Sequence, residues 1–418
     1  MKKILAFAMV LGASAAWAEL GDVTVRSVSA NDAGVVTVAY DLGGDEDAVV
    51  TMSVTAGGKT YERLAAVGAV GRRVSPATGL TIAWQPCDDV PGGVYDAEAM
   101  SVTLKAWSLA TPPAYMAVNL ICFTDVRYYA SEAALPEPVS SDRWREDWML
   151  FKRIPAKNVT WTMGCGPNDC CWSTAELDNA SYGGQPQTRV TNDADYYMGV
   201  FEVTQGQYIR ITNLNPSLLV LSSWDNLKSS SHYAVHQTDW KFHPVEQITW
   251  QAATNAVGVL SSRSGLSTRL PTSQEWEFAA RGETRGSIYA IPEDALSWTQ
   301  QNTRDHIKKI GFNIQASEEY YGGAQNVGHP NYVATVPVGL KPANAYGLYD
   351  VIGNVGEWCD GWYDAAQTKR PFRGGSMHMS GEGLGVGYCI GLGETATSGP
   401  SSLPLSYEMG FRVACSIP

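Results

Sequence analysis

The sequence predicts an α+β protein: a small all-β sandwich first, then a larger domain of short helices and strands set in much irregular chain. Three observations predict it. Segments 23–25, 35–38, 48–54, 80–84 and 100–106 alternate apolar with polar residues or are rich in β-branched ones, and Gly and Asp clusters separate them. Past residue 196 the pattern changes to helix starts, marked by Thr204 with Gln207 and by Thr272 with Glu275, each pair in capping-box spacing. The chain also carries 14 tryptophans and 41 glycines, which favours a loop-rich fold pinned by large aromatics over a helical bundle.

Taken in order, the chain opens with Lys2 and Lys3, an apolar run over 4–16, and Ala16-Trp17-Ala18. This pattern is that of a secretory signal peptide cleaved after Ala18. The run is too short to span a bilayer, and no later stretch supplies 18 apolar residues, so no transmembrane segment is expected. The expected location is secreted, periplasmic or cell-surface. The formal charge of −12, with no basic block, argues against nucleic acid and anionic membranes as partners.

Residues 19–110 read as the sandwich, since several short strands at this spacing suit two packed antiparallel sheets of the immunoglobulin or fibronectin kind. Pro112-Pro113 and the stretch 131–143, with Pro136 and Pro138, mark 111–146 as a linker. The second domain then covers 147–418. Strands are expected at 149–151, 159–163 and 200–203, and an extended stretch at 245–248. Helices are expected after Thr204, after Thr249 with Ala253, Ala256, Val257 and Leu260 on one face, and after Thr272 with Gly282 ending the last.

Eight cysteines in an exported chain permit disulfides. Cys87 and Cys122 are candidates for one pair. Cys165, Cys170 and Cys171 lack the second ligand pair of a zinc site and suit a structural bridge better than a redox centre. No GxSxG elbow is present, and His232, His236 and His243 are too irregularly spaced for a metal-binding helix.

The segment 350–357 has the composition of an oxygen-donor loop. Asp350 and Glu357 are hard carboxylate donors, and Gly353 and Gly356 let the chain turn tightly between them, so that carbonyls can face inward. Arg373 and Arg412 lie beside glycine-rich turns. They could meet an anionic ligand, but tying Glu357, Glu275 or Glu277 inside the fold is the reading favoured.

Six motifs then occur in a fixed order: MGVFEVTQGQY (198–208), HPVEQITW (243–250), RLPTSQEWEFAARG (269–282), NAYGLYDVIGNVGEW (344–358), FRGGS (372–376) and GFR (410–412). Together they resemble the formylglycine-generating enzyme family, also called sulfatase-modifying factor domains, over roughly residues 147–418. The resemblance implies a C-type-lectin-like fold. It also implies calcium at Asp350, Gly353, Val355 and Glu357, two by side chain and two by carbonyl. A second calcium loop is implied near Asn326, where this chain is shortened and has Pro330 or Asn331 about where an acid is expected.

The family's oxidase uses copper(I) held by two cysteines shortly after the GGS turn. The matching positions here are Met379 and Leu384. Leucine provides neither thiolate nor any other metal donor, so copper and the family's oxidation of a substrate cysteine are not expected. Met377, His378 and Met379 offer two thioethers and an imidazole, which do not reproduce a dithiolate centre.

The expected function is therefore a non-catalytic binding module with a structural calcium site. A groove around Trp358, Arg373, Met377, His378 and Met379 would take a peptide, protein or glycan ligand. The alternative is an oxidoreductase that works with a non-standard active site.

Overall fold

The computed structural model describes residues 23–90, 95–164, 187–217, 239–282, 335–377, 389–394 and 409–417. The expected signal peptide, the Cys165–Cys171 insert, His232 and His236, and the loop about Asn326 and Asn331 lie outside the described residues. The chain divides into two compact units. The first holds the chain up to Ala117 and Val126–Val139; the second holds Val118–Asp125 and Ser140–Ser416.

The first unit contains two antiparallel sheets. One joins β1 (Val23–Ala30), β2 (Val36–Leu42), β7 (Ala77–Trp84) and β5 (Val67–Gly68) in the order β1-β2-β7-β5. The other has β3 (Ala48–Ala56) at its centre, with β4 (Lys59–Tyr61) and β6 (Arg73–Val74) on one side. The long strand β8 (Met100–Ser108) pairs with β3 along its whole length. Side chains alternate across a strand, so every second residue of β2 turns inward. Val36, Val38, Tyr40 and Leu42 meet Val50, Met52 and Val54 of β3 and Ile82 and Trp84 of β7 in one apolar core. Trp84 is buried, and its indole N–H donates to Asp89 at 2.8 Å. These strands include four of the five segments expected from the alternation whole, and the fifth, 35–38, from Val36 onward.

The segment 111–146 is not a linker. It contains β9 (Tyr115–Asn119) and β10 (Val126–Tyr129), and Tyr115, Met116, Ala117, Val118, Leu135 and Trp144 are buried. The prolines set turns, and the apolar run between them packs. Cys122 is a free, exposed thiol, so the bridge considered between it and Cys87 is not formed.

In the second unit β11 (Trp148–Ile154), β14 (Tyr196–Gly199), β20 (Ala414–Ser416) and β15 (Thr268–Arg269) pair antiparallel in that order. β12 (Thr160–Met163) and β13 (Thr188–Thr191) pair antiparallel in a separate two-stranded sheet. A smaller mixed sheet runs β18-β17-β16-β19, from β18 (Cys389–Leu392) through β17 (Arg370–Arg373) and β16 (Gly356–Trp358) to β19 (Met409–Gly410). The β16–β19 pairing is parallel and the others are antiparallel.

Three helices start where their caps place them. α1 (Gln205–Thr212) begins with a full capping box of Thr204 and Gln207. α2 (Trp250–Ser264) is capped by Thr249 and buries Ala253, Ala256, Val257 and Leu260. α3 (Ser273–Arg281) has the Thr272–Glu275 capping box and stops at Gly282. Each box satisfies two of the backbone N–H groups that a helix start leaves unpaired.

The expected strand at 200–203 does not form: the chain bends at Val200 and Phe201, and bonds run from Val200 N to Leu150 O and from Val203 N to Phe411 O. Its strand signal belongs one step earlier, in β14. Among the described residues no helix is long and apolar enough to cross a membrane.

Candidate functional site

The 344–358 segment is a sequence of turns before it becomes β16. Asp350, Gly353 and Asn354 all have left-handed backbone, at φ 54°, 78° and 59°. This conformation strains Asp350 and Asn354 mildly and Gly353 not at all. At Gly356 the reason for glycine is space: a Cβ there would lie 1.7 Å from the Phe372 ring.

Side chains from elsewhere pin these turns. Glu202, fully buried, accepts from Val355 N at 3.0 Å and from Asn354 Nδ2 at 2.8 Å. Asn354 Oδ1 in turn accepts from Val336 N at 3.1 Å. Asp350, also buried, accepts from Gly339 N through Oδ2 at 2.6 Å, while its Oδ1 has no hydrogen-bond partner among the described residues. Burial raises the Asp350 carboxyl from the usual aspartate range to about 6. Burial, with the nearby charges of Asp350 and Glu357, raises Glu202 well above the usual range.

Glu357 is placed differently. Its Oε1 accepts from Arg412 Nη2 at 2.6 Å, and its Oε2 accepts from Arg412 Nε at 2.7 Å and Trp276 Nε1 at 2.6 Å. Arg412 also donates to the carbonyls of Gly199 at 3.1 Å and Tyr349 at 3.0 Å. One guanidinium thus joins β16, β14 and the turn before Asp350. A bidentate pair of this kind fixes direction as well as distance.

A second cluster lies on α3. Glu277 Oε1 accepts from Gly164 N and Arg281 Nε, both at 2.8 Å, and Oε2 accepts from Arg373 Nη1 at 2.8 Å. Arg373 Nε reaches Ser273 at 2.9 Å. Glu275 pairs with Arg269 at 2.7 Å, partly exposed. The three acids considered as internal partners thus divide: Glu357 takes Arg412, Glu277 takes Arg373, and Glu275 takes Arg269.

The expected groove is corrected. Trp358, Arg373 and Met377 are fully buried, with the Trp358 indole donating to Ile248 O at 2.7 Å and Met377 N to Asn354 O at 2.9 Å. Strand pairing and the cover of α3 place them in the interior, where they line no surface. His378, Met379 and Leu384 lie outside the described residues.

Sequence reasoning missed Glu202 and Asn354. The one available signal was an acid inside the apolar run VFEV, just before a helix cap. The thiols of Cys359 and Cys389 are free and buried, and burial pushes both above the ordinary thiol range.

The family model for the sulfatase-modifying factor enzyme 1-like domain matches residues 154–417. The chain belongs to this family. Mouse formylglycine-generating enzyme is 24% identical over 270 residues, covering 56% of this chain and 64% of its own length. Mouse "Inactive C-alpha-formylglycine-generating enzyme 2" is 31% identical over 177 residues, covering 41% of this chain and 49% of its own. This chain therefore spans less than two thirds of either relative. Among solved structures, Treponema denticola variable protein 1 matches 65% of this chain and 96% of its own, at 22% identity and a TM-score of 0.45.

The expected calcium donors can be tested against this geometry. Asp350 fits, because a buried carboxylate oxygen without a partner is what a hard cation takes up. Glu357 does not, because its charge is neutralised by Arg412 and both its oxygens already accept hydrogen bonds. Among the described residues no group of three or more His, Cys, Asp or Glu side chains gathers to hold a metal. A cation here would rely on few carboxylates and on carbonyl oxygens.

Proposed function

We propose that this protein is an exported, non-catalytic member of its family, an interaction module whose ligand is a peptide, a protein or a glycan. The observation that carries the reading is the fate of the charged residues in the family motifs. Glu277, Glu357, Arg373 and Arg412 are committed to one another inside the fold, which leaves them no role at a reacting atom. The sequence adds Met379 and Leu384 where the family's oxidase has its copper-binding cysteines. The existence of a relative called inactive supports the same reading.

Calcium belongs to this proposal as a structural ion, held by Asp350 with the carbonyls of Gly353 and Val355. Bound there, it would supply a fixed positive charge that gathers the oxygens of the turn. Asp350 also keeps Gly339 N, which joins the turn to the chain after Thr335.

The test is direct. Purified protein is given a cysteine-containing sulfatase peptide in an oxygen electrode, and its metal content is measured. No oxygen uptake, with calcium present and copper absent, is expected. Turnover, or stoichiometric copper, overturns the reading.

A further inference from the structure

We propose that the second carboxylate of the cation site at Asp350 is Glu202 and not Glu357. This inference rests on the calcium reading above and changes its ligand set.

The argument begins with charge. Three fully or nearly fully buried carboxylates, Glu202, Asp350 and Glu357, surround one turn. Arg412 is bonded to Glu357 through two nitrogens and to backbone carbonyls through the rest of its guanidinium. Arg145, the other cation whose charge bears on Asp350, is itself hydrogen bonded to Val338 O, Ser140 O and Asp142. Glu357 thus has its own counter-charge, while among the described residues Glu202 and Asp350 have only neutral donors within hydrogen-bond reach: Val355 N, Asn354 Nδ2 and Gly339 N. Two buried acids in this state must either stay protonated or share a cation.

Geometry favours sharing. Glu202 is bonded to residues four and five positions beyond Asp350 in the same turn, so both acids serve one loop. Asp350 acts on Glu202 more strongly than the other two charged neighbours, Glu357 and Arg412. Asp350 Oδ1 is the independent sign of a ligand, since it is a buried oxygen left without a donor. A carboxylate also has room for more than one partner: each oxygen of Glu202 accepts a single neutral N–H, which leaves a lone pair on each. Glu357 Oε2 already takes two donors. The ligand chemistry implied is that of a hard divalent cation with oxygen donors, calcium-like rather than copper-like.

Calcium titration by calorimetry on the full chain, stripped with EGTA, separates the two assignments. Wild type, Glu202→Gln and Glu357→Gln are compared, and each is also melted in EGTA. Glu202→Gln is expected to weaken calcium binding by about tenfold or more while its melting temperature in EGTA stays level or rises. Glu357→Gln is expected to melt lower in EGTA yet to bind calcium within about threefold of wild type, because what it loses is the Arg412 pair. Should Glu202→Gln fail to fold, Glu202→Asp keeps the charge but retracts the carboxylate, and a clear loss of affinity is again expected. Wild-type affinity in the Glu202 variants, or lost affinity in a folded Glu357→Gln, overturns this assignment and leaves the calcium reading standing. If the wild type binds no calcium, the calcium reading itself fails, and this one with it.

Discussion

The two units of this protein are stabilised in different ways. The sandwich core is apolar throughout: valines, Tyr40, Ile82 and Trp84 from alternating positions of paired strands. In the second unit the described interior holds Glu202, Glu246, Glu277, Arg281, Asp350, Glu357, Arg373 and Arg412, each fully buried or nearly so. Irregular chain explains the contrast. A regular sheet satisfies its own backbone and needs only an apolar face, whereas long turns leave backbone groups that side chains must serve. Arg412 on the carbonyls of Gly199 and Tyr349, and Glu202 on the N–H of Val355, do that service. The lesson is that buried charge here staples loops together.

The comparison can be broken most forcefully at Glu357. Glu357→Ala strands Arg412 inside the fold, and a loss of about 3–5 kcal/mol is expected in denaturant melts followed by tryptophan fluorescence. A cost below about 1 kcal/mol would show that the pair is not a staple. In the sandwich the matching experiment is Ile82→Ala, which leaves a cavity among valines. About 3 kcal/mol is expected, with no dependence on pH or salt. Salt dependence there would blur the distinction between the two cores.

The next effect is one of pH. Asp350 holds its proton up to about 6, well above an unfolded aspartate. The folded state therefore binds that proton more tightly, and its charged form weighs against folding above pH 6. In EGTA, stability should rise as pH falls from 7 toward 5, and Asp350→Asn should flatten that rise. A slope unchanged by Asp350→Asn would remove the claim. The smallest effect concerns helix starts: Thr272→Ala, which deletes one half of the α3 capping box, should cost about 1 kcal/mol. Thermal melts of the two proteins side by side measure it.

Much of this was legible along the chain. The strands of the sandwich follow from period-two alternation, because a strand's faces alternate regardless of what covers them. The three helices follow from Thr204, Thr249 and Thr272, because a cap is made by residues three positions apart. The family, too, is carried by short runs in order. Less was legible at the site. That Arg373 and Arg412 would turn inward to acids could be read, but not which acid each would take. The packing of 115–118 was hidden by prolines that resemble linker punctuation. The burial of Met377 was hidden because glycine-rich turns suggest an open surface.

By itself, then, the sequence determined what depends on near neighbours: strand alternation, helix caps and the tight turn at Gly353. Only the tertiary structure decided how the buried charges are partnered. Glu357 meets Arg412 across 55 residues, Glu277 meets Arg373 across 96, and Glu202 meets Asn354 across 152. The physical reason is that an ion pair inside a protein is chosen by which chain segments are brought into contact and desolvated together, and nothing in the spacing of the residues records that contact.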